Sequence, residues 1–510
     1  MFRDEQRDKV WNEIRQADLR SFAKQLTPEV FAEASLNSGE RIGQSALNVV
    51  NLVWLGISSA IDATASFPFV LNVTLKLLED QENFATSPVG MQKKQGERAE
   101  QKDKKNKQRK KSKHDPHRKD PTKVSEEAFA QARKRMSLKF WMALLMILTR
   151  QFQQQHSRHV YVDGFRLLAM DGTTFAVPKV ARLIDYYGRP KNGARKKAAP
   201  QARMVLLTLP GMRIPIAYEV SPLSDSELTL AQRLMKHICK NDLLLMDRGF
   251  ISYGLFWQIQ NSKAFFGTRL KKNMNFKRVR KLGAKDWLVK WTPKDSRGKW
   301  KDLPRSMDLR VIHYQFPGFR ASAIVTNVLD PKRLSREDWV RMVLDCDDNG
   351  KFTPGLYHRR WEIETTFFEI KVVLKLKSLR SHTPESIEYE VAGRVVYYLL
   401  IRWLMVQAAE KHGLDPLRIS FTNAVRELEL MRASFLTSNI EWARRVLLPR
   451  LLERIASHVV PLRPGRHYPR LGDTKAKNCG RYRKKQLPSK LSTKVNTKPK
   501  NNIRKRCRKP

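Results

Sequence analysis

The sequence predicts an α/β protein in which a mixed sheet covered by helices lies between two helical regions. Three observations carry this. Between residues 165 and 270, short β-prone runs alternate with helix-spaced segments in the order of three strands, then helix, strand, helix and strand. One of the runs, Leu243-Leu244-Leu245-Met246, is apolar throughout, as a strand buried on both faces requires. Before and after this region, apolar residues recur at three- and four-residue spacings.

The chain has 510 residues and is 41% hydrophobic, enough for two or three domains and a sizeable core. It carries 98 Lys and Arg against 50 Asp and Glu, a formal charge of +48. That excess implies a polyanionic partner. Nucleic acid is favoured, because phosphate neutralisation with counterion release rewards many basic contacts. The four cysteines, Cys239, Cys346, Cys479 and Cys507, form no CxxC pair, which argues against a disulfide framework or a zinc module and fits a reducing cytoplasm. The charged N-terminus shows no secretory signal, and the apolar run from Ala46 to Ile61 contains Asn48, Asn51, Ser58 and Ser59, so a buried helix is expected there.

In chain order, residues 1–90 read as a helical region suited to binding DNA ends. Residues 91–124 follow, with Met91 to Lys123 almost devoid of apolar side chains. Such a segment cannot offset its ordering entropy and is expected to be a solvated basic linker. Residues 125–270 begin with a helix from Ser125 to Phe152 and continue as the first part of the sheet. Phe165 to Met170 and Thr174 to Val177 are short strands around Asp171, and Met204 to Leu209 with Ile214 to Val220 form a hairpin across Pro210 and Gly211. Residues 271–320 are basic and hairpin-like, an inserted β-subdomain whose Trp287, Trp291 and Trp300 suit cross-strand packing or stacking on an extruded base. Residues 321–380 return to the sheet and end in the charged stretch YHRRWEIETTFFEIK. Residues 381–460 are helical, and 461–510 form a basic tail expected to be disordered and DNA-attracting.

Read as one helix, that charged stretch places Tyr357, Arg360, Glu364 and Lys371 within a stripe of roughly 60°. Glu362 and Glu369 fall on the opposite side, and Trp361 and Phe368 flank the stripe, giving it aromatic packing. Two aspartates complete a constellation. Asp171 follows Arg166-Leu167-Leu168-Ala169-Met170, and Asp247 follows the LLLM run, each a lone acid at the edge of an apolar strand. Singly, such an acid is a cap or turn former. Three converging carboxylates in a chain of charge +48 make sense as holders of divalent cations, which activate water and stabilise the leaving oxygen in phosphodiester cleavage.

MDGTTF around Asp171, LLLMDRGF around Asp247, and YHRRWEIETTFFEIK resemble the three signatures of the DDE transposases of bacterial insertion sequences. They resemble in particular the IS4-type group, marked by Tyr, then Arg after two residues, Glu after three more and Lys after six more. Tyr357, Arg360, Glu364 and Lys371 meet that spacing at every position. The resemblance implies a ribonuclease-H-like core with an inserted β-subdomain and two Mg²⁺ or Mn²⁺ ions held by Asp171, Asp247 and Glu364. Tyr357, Arg360 and Lys371 would hold the DNA end. It implies cut-and-paste transposition by a homodimer on terminal inverted repeats, with the 3′-hydroxyl ends joined to target DNA, in the bacterial cytoplasm at the nucleoid. A metal-dependent nuclease on the same core is the alternative enzyme, disfavoured by the long basic insertion and large helical flanks. A DNA-binding protein without catalysis would have no use for converging acids.

Overall fold

A computed structural model describes residues 22, 25–42, 47–61, 126–190, 198–271, 274, 276–293, 302–315, 321–341, 355–437 and 442–461. The basic linker at 91–124, Trp300, the loop at 345–354 and the tail at 463–510 lie outside the described residues.

Among the described residues, ten strands form one mixed sheet. In chain order these are β1 (Tyr161–Val162), β2 (Phe165–Ala176), β3 (Gln201–Leu209), β4 (Ile214–Pro222), β5 (Asp242–Met246), β6 (Phe265–Arg269), β7 (Phe276–Gly283), β8 (Asp286–Trp291), β9 (Met307–Tyr314) and β10 (Ser322–Thr326). They lie in the order β4-β3-β2-β5-β6-β10-β9-β8-β7, with β1 paired to β2. β2, β3 and β4 are antiparallel, whereas β5 and β6 run parallel to β2. An antiparallel β2-β3-β4 meander with two parallel strands added beside β2 is the ribonuclease-H-like arrangement.

Each part follows from local chemistry. All five residues of β5 are buried, and its apolar side chains contribute roughly 1.5–3 kcal/mol each. The β3–β4 hairpin turns through Arg213, whose φ of 56° lies in the left-handed region. Ser226 caps the helix Glu227–Leu234 by accepting the Thr229 N–H at 3.1 Å. The expected helix from Ser125 to Phe152 is instead two helices, Glu126–Arg135 and Leu138–Gln155, because Ser137 turns extended and caps the second through the Lys139 N–H. Asp171 is not at a strand end either, since β2 runs unbroken through it, held beyond Met170 by β3 alone.

The strands of the insertion do not stand apart from the core sheet. β10 pairs with β6 on one side and β9 on the other, so β9, β8 and β7 prolong the same sheet. Trp291 packs on Tyr253, Phe256 and Phe276, and Trp287 lies beneath Arg278 and Lys281.

The long helix Pro384–Lys411 is long and apolar enough to cross a membrane, but 94% of its apolar window is buried against the rest of the protein, the pattern of a core helix. Pro384 occupies its first turn and Thr383 caps it through the Ser386 N–H at 3.3 Å. Burial, aided by Glu385 and Glu219, pushes its Glu388 carboxyl from 4.5 up to about 7. An acid whose pKa rises on folding stabilises fully below its unfolded value and loses that contribution as pH climbs through the folded one. Stability therefore falls between pH 4.5 and 7 through this group. Glu388→Gln is expected to raise the melting temperature more at pH 8 than at pH 5, as thermal denaturation at the two pH values checks.

Candidate active site at the parallel strand ends

Open α/β sheets bind ligands beyond the carboxyl ends of their parallel strands. The β2–β5 pairing runs from Arg166↔Asp242 to Met170↔Met246, so Asp171 and Asp247 are the next residue on each strand and emerge side by side. Asp171 shares the strand face of Phe165 and Leu167, which pack with Leu243, Leu245, Leu356, Tyr357 and Trp339. The segment beginning at Leu356 covers that face.

This segment is not one regular helix. Leu356–Trp361 is a tight 3₁₀ segment, Glu362–Phe368 is α-helical, and Glu369–Val373 widens into a π turn. Its start is fixed by Gly355, whose N–H donates to Arg341 O at 3.0 Å, and a Cβ there would stand 2.6 Å from Arg341 N. Arg341 follows the helix Arg336–Val340, whose Trp339 lies so close over β6 that a Cβ at Gly267 would meet its ring at 2.3 Å.

The structure brings the six sequence-predicted residues to one place. Arg360 donates to Asp171 Oδ2 at 3.2 Å and to Glu364 Oε1 at 2.9 Å, so one guanidinium joins acids 193 residues apart in the chain. Asp247 sits beside them, with Arg269 Nη2 3.9 Å from its Oδ1. Tyr357 OH donates to Met246 O at 3.3 Å, and Lys371 Nζ donates to Thr173 Oγ1 at 2.9 Å and Thr174 O at 2.8 Å. Arg360 and Tyr357 are 3% and 6% exposed, whereas the Glu364 side chain is 46% exposed. Trp361 flanks the stripe as expected, with the Arg360 guanidinium 4.8 Å over its ring, while staying 40% exposed; Phe368 is 56% exposed.

The electrostatics are those of crowded acids. Burial pushes Asp171 up to about 6, Asp247 and Glu364 push it further, and the Gly172 N–H and Arg360 pull it back. Burial pushes the Tyr357 phenol up to about 12. Burial alone would lower Arg360, but Tyr357, Asp171 and Glu364 more than offset it and hold the guanidinium charged. The Lys371 ammonium is pulled below its usual range by burial, with Lys377 adding to it.

No three acidic, histidine or cysteine side chains among the described residues close on one point like a metal cage, since Arg360 stands between Asp171 and Glu364. The donor set nevertheless suits a hard divalent cation. The three acids offer only carboxylate oxygens, and added positive charge would relieve the repulsion that raises Asp171.

The sequence reading did not reach the groups behind the helix. Arg213 binds Glu362 Oε2 from Nε at 2.7 Å and Glu369 Oε1 from Nη1 at 3.0 Å. Arg402 chelates the buried Glu369, and Tyr398 OH donates to Glu369 Oε2 at 2.7 Å. The seven-residue spacing of Glu362 and Glu369 signals a shared helix face, but nothing local marks Arg213, Tyr398 and Arg402 as its partners.

A ribonuclease-H-like sheet with carboxylates gathered at its parallel strand ends is the architecture of the DDE enzymes. A family model described as the transposase DDE domain matches residues 163–400. The transposase InsG of insertion sequence element IS4 from Escherichia coli is 28% identical over 360 residues, covering 68% of this chain and 76% of that protein. The protein y4zB of Sinorhizobium fredii is 27% identical over 158 residues, 31% of this chain and 41% of its own length. Among solved structures, a piggyBac transposase synaptic complex with hairpin DNA aligns with a TM-score of 0.35 at 10% identity, covering 89% of this chain and 85% of that one. Over residues 163–400 the chain is thus similar to the DDE domain of transposases, and over 360 residues to the transposase of insertion sequence element IS4.

Proposed function

We propose that this chain is a DDE transposase that binds the terminal inverted repeats of its element as a homodimer, cuts the phosphodiester bonds at the element ends, and joins the freed 3′-hydroxyls to target DNA. The observation that carries the reading is that one guanidinium joins Asp171 to Glu364 while strand register sets Asp247 beside Asp171, so acids from three distant parts of the chain lie together. In the proposal these three acids hold divalent cations, Mg²⁺ or Mn²⁺. When bound, such ions polarise the phosphate and lower the pKa of the attacking water.

This chain's own residues do the rest. Arg360, which bonds Asp171 and Glu364, would be the guanidinium left to hold a DNA phosphate if those carboxylates held cations, and Tyr357 would reach DNA only on leaving Met246 O. Lys371, which reaches from the π turn to Thr173 and Thr174 of the Asp171 strand, would grip the cleaved end. The +48 charge supplies the nonspecific attraction to duplex.

The test incubates the purified chain with a linear fragment carrying the repeats that flank its gene, plus Mg²⁺, and maps the products. Cuts at the repeat termini with 3′-hydroxyls that join a second duplex are expected; cuts unrelated to the repeats would indicate a plain nuclease. Lys371→Ala is expected to weaken retention of the cleaved end by about tenfold, on the scale of a lost charge-assisted contact, while affinity for random duplex changes little. Band-shift titrations on both DNAs check this.

A further inference from the structure

Behind the helix segment that carries Glu364 and Lys371 lies a second charged cluster, centred on Glu369. Glu369, 4% exposed, receives Arg402, Tyr398 and Arg213. Arg402 Nε also donates to Tyr398 OH at 3.1 Å, and Arg402 is itself 1% exposed. Arg213, from the β3–β4 turn, spans Glu362 and Glu369, two turns apart on the helix. One clamp therefore ties three elements together: the hairpin of the meander that includes the Asp171 strand's partner, the core helix Pro384–Lys411, and the helix segment itself.

The location of the clamp gives it leverage. Glu362 lies two residues before Glu364, and Glu369 two before Lys371. Glu369 also opens the π turn, where the chain departs from α-helical rotation. A π turn inserts one residue into a helical turn and rotates everything after it, and it persists where tertiary bonds hold it. Releasing Glu369 removes the bonds that hold this turn, which frees the rotation of Lys371 against Thr173 and Thr174 and loosens the segment that carries Glu364. Two guanidiniums and a phenol on one buried carboxylate are more than neutralising an acid requires, and they fix its rotation as well as its charge.

We infer that Glu369, Arg402, Tyr398 and Arg213 are positioning residues that set the rotation of the helix segment, and through it the reach of Glu364 toward a divalent cation and of Lys371 toward Thr173. The inference rests on the proposed metal role of Glu364. Substituting Glu369 itself would strand the buried Arg402, so the test uses Tyr398→Phe, which removes only the hydroxyl, and Arg213→Lys, which keeps the charge but cannot span both acids.

Both full-length variants, with wild type and Asp171→Asn alongside, are followed by hydrogen–deuterium exchange across residues 356–373 and by Mn²⁺ titration read by electron paramagnetic resonance. Faster exchange within 362–373 is expected for both, with Mn²⁺ half-saturation raised about tenfold, as for other residues that orient metal ligands, and duplex affinity and melting cooperativity kept. Unchanged exchange, or faster exchange with unchanged Mn²⁺ half-saturation, would overturn the inference. If Asp171→Asn binds Mn²⁺ as wild type does, the metal-site reading fails instead, a pattern that the exchange data on the two clamp variants do not share.

Discussion

Asp171→Asn, Asp247→Asn and Glu364→Gln are each expected to lower Mg²⁺-dependent cleavage of element ends by on the order of 10³-fold, the scale of removing a principal charge-stabilising group from an active site. Binding of the uncut repeat is expected to persist, because the +48 charge that attracts DNA is spread over the chain. The three variants should differ in stability. Asp171 is the buried acid, held at about 6 by desolvation and its acidic neighbours, so its ionised form opposes folding at neutral pH. Glu364 is half exposed, so its amide should leave the melting temperature nearly unchanged. Single-turnover cleavage with labelled fragments, together with thermal denaturation at pH 7, checks both statements. Normal cleavage by any one variant would remove that residue from the site.

Asp286→Ala is expected to destabilise the protein by about 3–5 kcal/mol, the cost of stranding a buried charge. Arg310, fully buried on β9, binds both Asp286 carboxylate oxygens from Nε and Nη2, at 2.6–3.1 Å, and donates from Nη1 to Leu334 O at 2.6 Å. Leu334 precedes the helix whose Trp339 closes over Gly267 and whose end anchors Gly355. Loss of Asp286 should therefore loosen the approach to the site as well as the insertion. The double variant Asp286→Ala with Arg310→Met is expected to recover most of the stability, since no charge is then stranded. Denaturant melts of the single and double variants decide this, and equal losses in both would show that the pair is not the source.

How far the sequence could be read depended on the range of the interactions concerned. The β5 run was visible because burial on both faces leaves no polar position, and the β3–β4 hairpin because Pro210 and Gly211 break two β-prone runs. The spacing of Tyr357, Arg360, Glu364 and Lys371 was visible because a helix converts spacing into a shared face; Tyr357, Arg360 and Lys371 contact the Asp171 and Asp247 strands, and Glu364 contacts Arg360. The 3₁₀ and π turns at either end of that segment were not visible, since tertiary bonds impose them on a sequence with ordinary helix propensity.

The sequence by itself determined the elements of the sheet, the spacing of the charged helix face and the two aspartates that follow apolar runs, because burial periodicity and strand alternation are local properties. Only the tertiary structure decided that Asp171 and Asp247 emerge as adjacent strand neighbours, that Arg360 spans Asp171 and Glu364, and that Glu369 is gripped from behind by Arg213, Tyr398 and Arg402. Those pairings join residues tens to hundreds of positions apart. Their partners are set by strand register and helix packing, which no local pattern encodes.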